Sequence, residues 1–123
     1  MTVKETWVNE SMLLVEWTKP LHYRELQACF QRIAQAVEQC ENAVDVIFDI
    51  MEAGHIPVEA PTQAIHSGFL VDPQTRNVVV VGMDNWAQIL ARMASRTTGK
   101  PIIFYRSFEE AAKALHWIEL RAS

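Results

Sequence analysis

Seven residues, Val44-Asp45-Val46-Ile47-Phe48-Asp49-Ile50, constrain this chain more than any other stretch. Val46, Ile47, Phe48 and Ile50 leave little room for a wet face, so the run predicts a strand covered on both sides. Val78 to Val81, closed by Gly82, and Ile102 to Tyr105 predict two further fully buried strands. A helical period follows each of the three. Pro61 and Gly68 bracket a short helix, Pro61 to Ser67. Asp84 can cap the next, with Trp86, Ile89, Leu90, Met93 and Ala94 as its apolar stripe and Gly99 at its end. Ser107 and Glu110 have capping-box spacing, opening a last helix with Phe108, Ala111, Ala112, Leu115 and Ile118 inward.

Ahead of these units, Thr2 to Val8 and Met12 to Trp17 read as an antiparallel hairpin turning at Asn9-Glu10-Ser11. From His22 to Cys40 the period becomes helical, with Leu26, Cys29, Phe30, Ile33, Val37 and Cys40 on one stripe. Three successive strand–helix units imply right-handed crossovers and parallel pairing. The expected fold is α/β: a single-layer mixed sheet, made of the N-terminal hairpin and three βα units, with helices packed on it. At 123 residues, half of them hydrophobic, one domain spanning 1–123 is the expectation.

The formal charge of −4 and the absence of a cationic run argue against nucleic acid and anionic membranes as partners. No stretch approaches 18 uninterrupted apolar residues, so no membrane span is expected. The N-terminus has no apolar signal core, which points to the cytoplasm. Cys29 and Cys40 fall on one predicted helix, roughly 16 Å apart at 1.5 Å per residue, beyond disulfide reach. Free thiols in a reducing compartment fit that spacing.

Catalytic motifs are missing. Gly82 follows a buried strand, but no G-x-G-x-x-G accompanies it. There is no G-x-S-x-G elbow, and His66 and Ser67, being adjacent, cannot form a nucleophile–base pair. Asp49, Glu52, His55 and Glu59 carry ligand chemistry for a divalent metal, yet loop spacing dictates no geometry, and neither metal nor cofactor is expected. Arg92, Arg96 and Lys100 recur every four residues, as suits cations near a helix C-terminus. Met51, Met83, Trp86 and Met93 are side chains of the kind that adapt to partners. The loop after Ile50 lies where open α/β sheets place their sites, at the carboxyl end of a central strand.

With this element order in hand, the chain resembles the STAS family, which includes the bacterial anti-sigma-factor antagonists and proteins like stage II sporulation protein AA. VDVIFDIMEAGHIP resembles the family's strand running into its functional loop. VVVVGMDNWAQILARM and IIFYRSFEEAAKAL resemble the later strand–helix units. The resemblance implies a non-catalytic regulatory module that binds a protein partner, such as a regulatory kinase or an anti-sigma-like protein, with a homodimer as an option. The family loop reads Asp-Ser-Ser/Thr-Gly. Lining up the strands places Pro57, Val58, Glu59 and Ala60 there, so Val58 stands where the phosphoacceptor would be and has no hydroxyl. The expected partner-binding residues are Glu52, His55, Val58 and Glu59, with Met83 and Trp86 as a second patch. Two other readings stay open: a carrier of a small apolar ligand (lipid or nucleotide), and a metal-assisted hydrolase using Asp49, Glu52 and His55.

Overall fold

Alternation along the apolar runs settles which side chains meet. The computed structural model describes residues 2–82 and 85–114. Among them, five strands form one sheet: β1 (Val3–Asn9), β2 (Met12–Thr18), β3 (Val44–Glu52), β4 (Thr75–Val81) and β5 (Ile102–Tyr105). They lie in sequence order. β1 runs antiparallel to β2, and the other neighbours pair in parallel, with Phe48 beside Val15 and Val80. The mixed sheet with its βα units is as expected.

The crossover helices are α1 (Tyr23–Glu38), α2 (Ala60–Ser67) and α3 (Asn85–Thr98). A sheet that grows in one direction through right-handed crossovers carries all its crossover helices on one face. The main core reflects this. Val15, Trp17, Val46, Phe48, Val78 and Val80 from the strands join Leu26, Phe30 and Ile33 of α1, Ala64 of α2, and Leu90 of α3. Four aromatic rings link its parts. Trp17 packs edge-on against Phe30 at 5.7 Å and Phe48 at 5.4 Å, while Phe69 stacks on Phe30 and lies 5.9 Å from Phe48. Phe69 belongs to a short 3-10 turn, Phe69–Val71, not foreseen from the sequence.

The opposite residues of the same strands, Met12, Ile47, Val79 and Val81, meet Ala111 and Ala112 of α4 (Phe108–Ala114). Thus β3 is covered on both sides, as its composition demanded. Two expectations fail. β5 is not a buried strand: all four of its residues are half-buried, because it forms an edge of the sheet. On α3, Ile89 and Met93 do not face inward but are each 51% exposed. Ala87, Leu90 and Ala94 take the inward positions, and two alanines let the helix sit close to the strands. Asp84, Leu115 and Ile118 lie outside the described residues. No described helix is long and apolar enough to cross a membrane.

β3 also carries a buried carboxylate. Asp45 accepts two hydrogen bonds from the Arg76 guanidinium, at 2.9 and 2.8 Å, and two more from Asn77, one from its backbone N–H and one from Nδ2. Burial of that charge is tolerable only with such partners.

Two outcomes are expected. Phe48→Ala removes the ring shared by Trp17, Phe30 and Phe69 and should cost about 3–5 kcal/mol in chemical denaturation, against much less for Phe48→Leu. Burial pushes the Cys29 thiol up from an ordinary 9.0 to about 12, and the neighbouring Trp17 indole only partly counters it. Above pH ~9 the unfolded chain therefore releases a proton that the folded chain keeps. Stability attributable to Cys29 should fall as pH rises from 9 toward 12, by up to ~1.4 kcal/mol per pH unit. Comparing wild type with Cys29→Ala across that range isolates the slope.

Candidate functional site

Beyond Ile50, β3 continues through Met51 and Glu52 before the chain turns away from the sheet. The turn is fixed at several points. Asp49 Oδ1 accepts from the Met51 N–H at 3.1 Å, the Glu52 carbonyl accepts from the Lys19 N–H at 3.0 Å, and the Ala53 N–H donates to the Ile50 carbonyl. Gly54 has φ +67°, and a Cβ there would lie 3.2 Å from Lys19 Cβ. Ala53 and Ile56 point into the core. Between them His55 stays exposed and stacks on the Trp86 ring, with centroids 5.6 Å apart and planes inclined by 11°. Trp86 Nε1 donates to the Ile56 carbonyl at 2.7 Å, so α3 holds the loop through both ring and N–H.

The loop then enters α2. Pro57 accepts from the Ala60 N–H and Glu59 from the Gln63 N–H, and Pro61 occupies the first turn. Glu59 sits at the N-cap position without capping through its side chain. What remains outward is Met51 (58% exposed), Glu52, His55, Val58 (56%) and Glu59.

The predicted residues Glu52, His55, Val58 and Glu59 therefore share one exposed loop, and Trp86 joins them by packing on His55. Met83 lies outside the described residues. Two further residues extend the surface: Ile89 and Met93 form an exposed stripe on α3 following Trp86 at helical spacing. The sequence signal was there, but its inward reading hid it. Arg92, Arg96 and Lys100 are not a unit: Lys100, beyond the end of α3, donates its Nζ to the Thr75 carbonyl at the other end of the sheet, while Arg92 and Arg96 are exposed on the helix.

Asp49 Oδ1 is engaged by the Met51 N–H and His55 by the indole, so Asp49, Glu52 and His55 form no convergent constellation. Among the described residues, no three His, Cys, Asp or Glu side chains gather as metal ligands would. Beneath the loop, an apolar cavity of about 80 Å³ lies between the sheet and helices α2 and α3, lined by residues including Phe48, Ile50, Ile56, Ala64 and Leu90. Gly82, with φ +135°, closes the neighbouring strand end, where a Cβ would come within 3.0 Å of Ile50 Cγ1.

Trp86→Phe keeps the apolar ring and removes the N–H donor to Ile56. It should cost ~0.5–1.5 kcal/mol and raise amide exchange around His55 and Ile56, with the core strands unchanged.

Comparison with known proteins places this geometry. No curated protein matches the chain. A solved structure of the anti-sigma factor antagonist SpoIIAA in its unphosphorylated form superposes with a TM-score of 0.65 at 10% identity, covering 93% of this chain and 96% of that one. At that identity the likeness is one of fold, and it bears out the STAS-like architecture. The family model described as SpoIIAA-like matches residues 12–119, nearly the whole chain, and the protein belongs to the SpoIIAA-like family.

Proposed function

We propose that this chain is a non-catalytic regulatory module that works by binding a protein partner through the exit surface of β3. The observation that carries this reading is the bracing of the loop. Trp86 fixes Ile56 by a hydrogen bond and His55 by stacking, yet Met51, Val58, Glu52 and Glu59 stay exposed on it. A preorganised loop gives up little conformational freedom on docking, so its apolar contacts count toward affinity. Val58 and Met51 would form the apolar centre, with Glu52 and Glu59 as an acidic rim that selects a partner with basic residues around an apolar contact. The similarity to an anti-sigma factor antagonist supports a partner of the anti-sigma or regulatory-kinase type. Val58 offers no hydroxyl, so control by phosphorylation at that position is chemically closed. The two free thiols, one fully buried, suit a reducing compartment such as the cytoplasm.

The apolar cavity favours a second reading, carriage of a small apolar molecule. At about 80 Å³ with an almost wholly apolar wall, it suits a few heavy atoms and not the lipid or nucleotide considered from sequence. Native mass spectrometry of freshly purified protein would reveal a retained molecule, and apo protein alone would retire this reading.

For the leading function, the Glu52→Lys/Glu59→Lys double variant should weaken the partner at least ~10-fold, as reversing two rim charges does, while the melting temperature stays within about 2 °C. Titration calorimetry with the recovered partner measures it. Unchanged affinity would move the docking surface elsewhere.

A further inference from the structure

The two edges of the sheet differ. β5 is four residues long, preceded by Pro101 and followed by Arg106, devices that blunt an edge. β1 is seven residues long and has β2 on one side only. Its parity follows from one bond: the Thr18 N–H donates to the Thr2 carbonyl at 2.8 Å. Antiparallel strands alternate between residues bonded to the neighbour and residues turned away. Lys4 and Thr6 therefore bond toward β2, while the N–H and C=O groups of Val3, Glu5 and Trp7 face outward. None of those outward groups meets a partner among the described residues. The side chains are as informative. Trp7 is 43% exposed, Glu5 holds the Arg32 guanidinium through two contacts at 2.5 and 2.9 Å, and Lys4 lies across from Glu16.

We propose that β1 pairs antiparallel with β1 of a second copy of this chain about a two-fold axis at Thr6, joining two sheets into one. Side chains opposite one another must lie on the same face, so the axis falls on a residue of the strand. An axis at Glu5 would set Glu5 against its own copy, and like charges directly opposite destabilise. An axis at Trp7 runs into the irregularity between Trp7 and Asn9 and shortens the ladder. At Thr6 the regular stretch Glu5 to Trp7 pairs in full. The Glu5 and Trp7 backbones exchange four hydrogen bonds with their copies, and the two threonines face one another. Trp7 lies opposite Glu5 of the second copy, whose bound Arg32 supplies a cation to the indole face. Lys4 meets Val8. The axis is perpendicular to the sheet, so both α1 helices stand on the same side and flank the two tryptophans. An interface of this length is small, which fits a dimer with a dissociation constant in the roughly micromolar range.

Position-specific cross-linking reads the register. Thr6 and its copy form a non-hydrogen-bonded pair, with Cα atoms about 4.5 Å apart, within disulfide reach. In a Cys40→Ser background, Thr6→Cys should give a reducible dimer on mild oxidation. Lys4→Cys and Val8→Cys should each give none alone and a heterodimer when mixed. Thr6→Lys and Thr6→Glu, at an exposed position, should each weaken self-association about tenfold in sedimentation velocity, and mixing them should restore it. The proposal is overturned if the wild-type chain sediments as a monomer up to ~1 mM, if its dimer ignores Thr6→Lys, or if Lys4→Cys cross-links alone. The test uses no residue of the 52–59 loop, so its result is independent of the partner-binding reading.

Discussion

Four rings hold this fold's logic together. Trp17 comes from β2, Phe30 from α1, Phe48 from β3 and Phe69 from the turn before β4, and they meet in one contact cluster. That meeting requires the crossover helix to lie on the same face as residues 15, 17, 46 and 48, so it fixes handedness, register and the inward face of α1 at once. Large rings also pack with specific geometry, edge-on or stacked, which a set of aliphatics would not impose. A one-residue slip of β3 would carry Phe48 to the α4 side and bring Asp49 into its place among the rings.

How much of this could be read from sequence depends on whether a signal was local. The strands β3 and β4 were legible because both faces are covered, and a short continuous apolar run between turn residues is what such a strand requires. β5 has the same composition, yet among the described residues it lies at an edge of the sheet, a position that nothing within Ile102–Tyr105 encodes. The stripe of α3 was legible only in part, for a related reason. Leu90 and Ala94 are buried as read and Trp86 packs partly on the core, but Ile89 and Met93 are exposed, and Ala87 takes an inward position because small residues let the helix approach the sheet. Asp45 was invisible as an ion-pair member since Arg76 lies 31 residues on. A carboxylate inside an apolar run was nonetheless a signal that something far along the chain must answer it.

The candidate site divides the same way. That residues 52–59 form an exposed loop followed from the strand's end, the glycine and the prolines, and all four loop residues singled out are exposed. Their bracing did not follow. The His55–Trp86 stack and the indole bond to Ile56 link the loop after β3 to the start of α3, and only the parallel pairing of β3 with β4 makes them adjacent.

That bracing bears on function more than the exposure does. A loop with unconstrained Met51 and Val58 would hide them against the nearest apolar surface, as chains do when free to. Here Ala53 and Ile56 take the inward positions, and the Lys19 and Trp86 contacts fix the backbone between them. Met51 and Val58 are left outward by geometry and carry the free energy of their exposure in the unbound protein. On the reading proposed above, the docking surface is what this bracing holds outside the core.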